Sequence, residues 1–202
     1  MGVPVGVPAE GRGLILIVCT GNVCRSPYIE HLLRSELAKR GIEDIDVTSR
    51  GTGALRGHPV AGPMARLMAT EGLRSDAFTA RQLEPSDARG VDLVITAERA
   101  HRSAVARVAP RSLSKIFTLR QLDRLLSNID LPPATSSGTP VERLREIVGL
   151  AAAARGVFAP SADSSDDVID PWQQTDSIYV ESVAAMREPI LRLADALTPV
   201  AR

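Results

Sequence analysis

The chain has 202 residues, 44% of them hydrophobic, with 24 Lys and Arg set against 24 Asp and Glu, which suits one α/β domain with a real core. Zero net charge and the lack of a Lys/Arg stripe argue against a nucleic-acid partner, and no apolar run reaches the roughly 18 residues of a membrane helix. The first residues lack the charged-then-apolar layout of a signal peptide and Gly2 lacks the following Ser or Thr of a myristoylation signal, so the expectation is a cytoplasmic protein with no membrane partner.

Residues 1–13, rich in Gly and Pro and without periodicity, read as a disordered tail. Leu14 to Val18 is a continuous apolar strand of the kind covered on both faces. Ser26 to Arg40 reads as a helix with Ile29, Leu32, Leu33 and Leu37 as its inner stripe, Ser26 as N-cap, Pro27 as first helical residue and Gly41 as its end. Ile45 to Ser49 is a second strand, followed by the loop Arg50-Gly-Thr-Gly53. Pro59 to Glu71 is a helix closed by Gly72, Val91 to Thr96 a third strand, Glu98 to Val108 a helix, and Lys115 to Leu119 a fourth strand. Asn128 to Pro140 reads as a linker, Val141 to Arg155 as a helix and Ser161 to Asp167 as a mobile polar loop. Thr175 to Leu197 reads as a packing helix with a kink at Pro189. Strands alternating with helices predict an α/β fold: a four-stranded parallel sheet with right-handed crossovers, helices on both faces and three layers. Ligands of such sheets bind beyond the carboxyl ends of the strands, which is where residues 19–26 fall.

Those residues, Cys19-Thr20-Gly21-Asn22-Val23-Cys24-Arg25-Ser26, carry the chemistry. A thiol ends the first strand, and a guanidinium follows six residues later at a helix start. Inward-pointing N–H groups of a Gly-containing loop and a helix N-terminus suit an anion, and an Arg grips two phosphate oxygens as a fork. The positive field of such a cradle favours a thiolate over a thiol. Gly21 and Asn22 tolerate the positive φ of a tight loop. A Cys with an Arg six residues on is weak evidence alone; the agreement of strand, loop and helix is what gives it weight. Cys19 and Cys24 are the only cysteines, so a disulfide scaffold is excluded, and their spacing with only His31, His58 and His101 as partners does not suit a metal. The two thiols could form a reversible disulfide that shields Cys19 from irreversible oxidation. His31 and His101 read as exposed helix residues and His58 as a surface loop residue.

With Asp170-Pro171-Trp172 added, the chain resembles the low-molecular-weight protein tyrosine phosphatases over roughly residues 14–127 and 168–198. That family carries its nucleophile loop near the N-terminus and an Asp-Pro-aromatic loop near the C-terminus. The resemblance implies a single phosphatase domain over 14–198, with its phosphate-binding loop after the first strand, and an insertion at about 128–167. It implies a protein-tyrosine-phosphatase that hydrolyses phosphotyrosine monoesters through a phosphocysteine intermediate, with phosphotyrosine proteins as partners, phosphate or other oxyanions in the loop, and no cofactor. By it, Cys19 is the nucleophile, Arg25 and the loop amides hold the phosphoryl oxygens, and Asp170 is the general acid and then base. Thr20, Gly21, Asn22, Val23, Cys24 and Ser26 line the substrate, and Ser26 also stabilises the thiolate. Trp172 walls the cleft, while Asn22 and Ser49 support the loop.

The chain also departs from that pattern. Phe78-Thr79 stand where the family often has a His before Ala80-Arg81-Gln82, and Gln173 follows the single aromatic Trp172. The stretch 128–167 exceeds the compact family and could serve as a lid, as a docking arm or in no role at all. Two alternatives remain open: a phosphoarginine phosphatase of the same fold, disfavoured by the apolar Val23, and a non-catalytic phosphate-binding or redox-sensing module. A thioredoxin-coupled arsenate reductase would need a further Cys pair. Of the 24 cationic residues only two are Lys, a bias that reads as a GC-rich bacterial genome. The expected assembly is a monomer or weak dimer.

Overall fold

Strand β1, Gly13–Cys19, is apolar along its length because it lies inside the sheet with helices on both faces. The computed structural model describes residues 11–132, 138–158 and 166–198. In it β1 pairs in parallel with β2, Ile45–Gly51, on one edge and with β3, Leu93–Thr96, on the other. Strand β4, Ile116–Thr118, extends the sheet to the order β2-β1-β3-β4. Alternate residues of β1 feed two cores, as the two-residue period of a strand requires. Ile15 and Ile17 face helices α1 (Arg25–Lys39), α2 (Gly62–Thr70), α4 (Leu119–Leu126), α5 (Pro140–Ala154) and α6 (Asp176–Leu197). Leu14, Leu16 and Val18 face α3 (Arg99–Val108), meeting Val105 and Ile116. The expected three layers are present, unequal in thickness.

Helix α4 was not foreseen, because a fourth strand through Leu119 absorbed its start. The strand stops at Thr118, whose hydroxyl accepts from the Gln121 N–H at 3.1 Å and so caps the helix. Helix α5 opens with a capping box in which Thr139 and Glu142 exchange side-chain and backbone bonds. Its Leu144, Ile147, Val148 and Ala151 join the larger core. It covers the start of β1: a Cβ at Gly13 would lie 3.5 Å from Leu144 and Val141. Asp92, at the head of β3, accepts from Arg145 of α5 (2.8 Å) and from the Leu14 N–H (3.1 Å). Both lysines fall at this end of the sheet, Lys39 closing α1 and Lys115 immediately preceding β4.

The tail expected over 1–13 lies outside the described residues as far as 10; beyond them Arg12 pairs with Asp46 at 2.6 Å. Residues 133–137 of the expected linker and 159–165, which include most of the expected polar loop, are likewise outside the described residues. Among the described residues, no helix is long and apolar enough to cross a membrane.

Candidate active site

The turn after β1 is held by its own carbonyls. Those of Cys19, Thr20, Gly21 and Val23 accept from the N–H groups of Thr52 (2.9 Å), Gly53 (3.0 Å), Leu55 (3.0 Å) and Ala61 (2.8 Å). The carbonyls therefore face the segment after β2, and no described residue accepts from the N–H groups of Gly21, Asn22, Val23 or Cys24. Gly51 makes this approach possible, since a Cβ there would sit 2.3 Å from the Thr20 carbonyl oxygen. Asn22 takes a left-handed conformation (φ 55) at the middle of the turn. Its amide donates to Ser26 Oγ and Ser49 Oγ, both at 2.8 Å, and its carbonyl oxygen accepts from the Arg81 N–H at 2.8 Å. With its side chain fully engaged and buried, Asn22 has only its backbone to offer an anion.

Helix α1 begins at Arg25, with Cys24 in the N-cap position and no side-chain cap. Ser26 is thus not the cap that its place before Pro27 suggests. Its hydroxyl lies 3.0 Å from Cys19 Sγ and accepts from Asn22 instead, leaving the first-turn N–H groups without a side-chain acceptor.

Arg25 is 1% exposed. Its guanidinium pairs with Glu98, donates to the Val168 carbonyl at 3.0 Å and meets Asp170 Oδ2 at 2.8 Å. Arg25 Nε is buried and has no acceptor among the described residues. Glu98 follows β3, so the guanidinium sits where the β1 and β3 connections diverge, the usual ligand crevice of such a sheet. Asp170 also accepts from the Trp172 N–H at 3.2 Å, and Trp172 itself is 39% exposed. Val168 N–H donates to the Ala97 carbonyl (2.8 Å) and Ser182 to the Ile169 carbonyl (3.1 Å), bringing residues 168–172 to the same strand ends as Cys19.

Around this cluster, Val23 and Cys24 are buried, and the Cys24 thiol faces the Tyr179 hydroxyl at 3.9 Å. Burial pushes the Cys24 thiol up to about 12, and the Tyr179 bond offsets that only in part. Thr20 is exposed, yet its hydroxyl lies 2.8 Å from His101 Nε2. His101 is not an exposed helix residue: it is 4% exposed, with a buried Nδ1 that has no partner among the described residues. Burial holds its imidazole below the ordinary range, opposed by Glu98. His58 is exposed, as its Gly-His-Pro setting suggests.

Residues 14–151 match the family described as low molecular weight phosphotyrosine protein phosphatase. The chain belongs to that family. It is 36% identical over 107 residues to the low molecular weight protein-tyrosine-phosphatase Etp of Escherichia coli K12, covering 53% of this chain and 69% of that one. Over 109 residues it is 37% identical to Wzb of Salmonella typhi, covering 54% and 70%. Among solved structures, the tyrosine phosphatase Wzb from Escherichia coli K30 in complex with sulphate superposes with a TM-score of 0.64 at 22% identity, over 91% of this chain and 97% of that one. The YwlE arginine phosphatase of Geobacillus stearothermophilus gives 0.64 at 21% identity, over 91% of both. These two likenesses establish a shared fold.

The family match ends before Asp170, so that residue stands on its geometry. Sequence reasoning missed Glu98 and His101. The signal for Glu98 was available: a carboxylate two residues past the carboxyl end of a parallel strand faces the ligand crevice. The Arg81 N–H that holds Asn22 left no signal, because any residue but Pro could supply it. It fixes the Asn22 carbonyl directly, and Phe78 packs edge-on to His31 with ring centroids 5.9 Å apart.

Proposed function

We propose that the chain hydrolyses phosphotyrosine monoesters in proteins through a phosphocysteine formed on Cys19. The observation that carries this reading is the unmatched donor set on the loop that Cys19 opens: among the described residues, the buried Arg25 Nε and the N–H groups of residues 21–24 have no acceptor. A phosphoryl group supplies the missing acceptors.

Cys19 Sγ, with the Ser26 hydroxyl at 3.0 Å to donate to a thiolate, attacks phosphorus in line with the leaving oxygen. The S–P bond forms as the P–O bond breaks. Arg25 and the loop N–H groups hold the three equatorial oxygens, where charge stabilisation matters most. Asp170 gives its proton to the departing phenolate. Its contact with Arg25 at 2.8 Å exchanges for phosphate on binding, and its exposed carboxyl reaches the leaving group. In the second step Asp170 takes a proton from water, which attacks the phosphocysteine and releases phosphate and the thiolate. Such a general acid contributes about 10²–10⁴-fold.

The half-exposed Trp172 offers an aromatic wall to a phenyl ring, and the apolar Val23 supports an aryl rather than a guanidino substrate. We read residues 14–198 as one phosphatase domain that includes α5. The bacterial relatives named above support a bacterial source, and a cytoplasmic monomer or weak dimer completes the proposal.

The test is steady-state hydrolysis of p-nitrophenyl phosphate, phosphotyrosine and phosphoarginine by wild type and Cys19→Ser. Turnover that needs Cys19 and prefers phosphotyrosine is expected. Preference for phosphoarginine would move the substrate to the sister activity, and no wild-type turnover under reducing conditions would leave a binding module.

A further inference from the structure

Two arginines outside the cradle converge on the chain just before Asp170. Arg124, on α4, forms a two-pronged pair with Asp166, one prong at 3.2 Å. Its Nε also donates to the Phe158 carbonyl at 3.4 Å. One guanidinium therefore holds residue 158, which follows α5, together with residue 166, which begins the acid loop. Arg99, at the first turn of α3, holds the next residue. Its N–H donates to Asp167 Oδ1 at 2.8 Å, and its guanidinium reaches both Asp167 oxygens at 3.1–3.3 Å. The chain then bonds to Ala97 through Val168 N–H and meets Arg25 through the Val168 carbonyl.

We propose that Arg124 and Arg99 are positioning residues that hold residues 166–172, through Asp166 and Asp167, at the distance from the cradle where Asp170 delivers its proton. This rests on the reading of Asp170 as the acid. Three observations favour placement over simple stability. First, the Asp166 side chain is only 8% exposed and that of Arg124 20%; a pair this buried gives little net stability, and its best attested use is to fix one arrangement among several. Second, the two pairs act on consecutive residues from two different helices, which fixes the direction of the chain as well as its position. Third, the segment they hold carries Val168 and Asp170, both on the Arg25 guanidinium. A displacement at 166–167 is thereby passed along the chain to the Asp170 carboxyl, while Arg25 keeps its place in the cradle through Glu98. Misplacement of a reacting group by about 1 Å costs up to roughly 10²-fold in rate.

The experiment compares Arg124→Gln, Asp167→Ala and Asp170→Asn with wild type on phenyl phosphate, a poor leaving group, and p-nitrophenyl phosphate, an activated one. Time-resolved anisotropy of Trp172, the single tryptophan of the chain, reports the freedom of the loop directly. Both tether variants should lose about tenfold to a hundredfold on phenyl phosphate, lose much less on p-nitrophenyl phosphate, keep the wild-type inhibition constant for inorganic phosphate, and loosen Trp172. Equal losses on both esters, or an unchanged Trp172 decay, would overturn the proposal. If Asp170→Asn itself shows no dependence on the leaving group, the acid assignment fails, and the tether is judged on the anisotropy alone. Arg99 and Asp167 form a more exposed pair than Arg124 and Asp166, so Asp167→Ala keeps the test valid if Arg124→Gln does not fold.

Discussion

At Asn22 a left-handed backbone, φ 55, is held by three side-chain bonds drawn from three parts of the chain: Ser26, Ser49 and the Arg81 amide. A non-glycine residue adopts this region at some cost, and here the surrounding bonds outweigh it. Asn also supplies both two donors and an acceptor, which Gly in the same place cannot. The neighbouring thiols are separated by environment. Both are buried, but Cys19 lies beside the Ser26 hydroxyl at the cradle, whereas Cys24 faces Tyr179 and burial pushes its thiol up to about 12. Iodoacetamide at pH 8 should therefore alkylate Cys19 and leave Cys24 intact, as read by peptide mass mapping. Comparable labelling of both would refute this division of roles. The local pattern of residues 19–26 put both cysteines and Arg25 in one loop, whereas Ser49 and Asp170 were joined to it only through the family resemblance. Sequence alone misread His101, since an amphipathic helix face does not reveal that a loop from another strand, at Thr20, will close over it.

Helix α5 shows how an element can be recognised and yet misjudged. Its periodicity marked a helix over 141–155, but the excess of 128–167 over the compact family left a lid, a docking arm or no role open for it. Leu144 and Ile147 are instead wholly buried in the core that β1, α1 and α6 share. Leu144→Ala should accordingly lower the unfolding free energy by about 2–5 kcal/mol, measured by urea denaturation. A loss below about 1 kcal/mol would mean that the helix packs loosely enough to be dispensable. Boundaries elsewhere were legible to within a few residues wherever a strand ran apolar or a glycine followed a helix. They failed where one element passes into the next without a break, as at Thr118, which ends β4 and caps α4 together.

For the molecule as a whole, a cradle of unmatched donors makes folding and anion binding linked equilibria. Inorganic phosphate at about 100 times its dissociation constant should add about 2.7 kcal/mol of stability, or roughly 5–10 °C in melting temperature for a chain of this size. Melting in phosphate and in chloride of equal ionic strength tests this, with Arg25→Lys expected to lose most of the difference. Equal melting in both salts would remove the anion site from the wild-type chain. The parallel sheet and the three layers followed from the alternation of strands and helices, whereas the strand order β2-β1-β3-β4 is known from the structure alone. Which helix lies on which face did not follow, because that depends on contacts between residues far apart in sequence.

The lysines have a practical consequence of their own. Lys39 is well exposed at the foot of α1, and Lys115 lies at the foot of β4, both at the end of the sheet away from Cys19. Side-chain amine chemistry on this chain is therefore one-sided. Coupled to a solid support through its lysines, the protein would stand with the cradle turned to the solution.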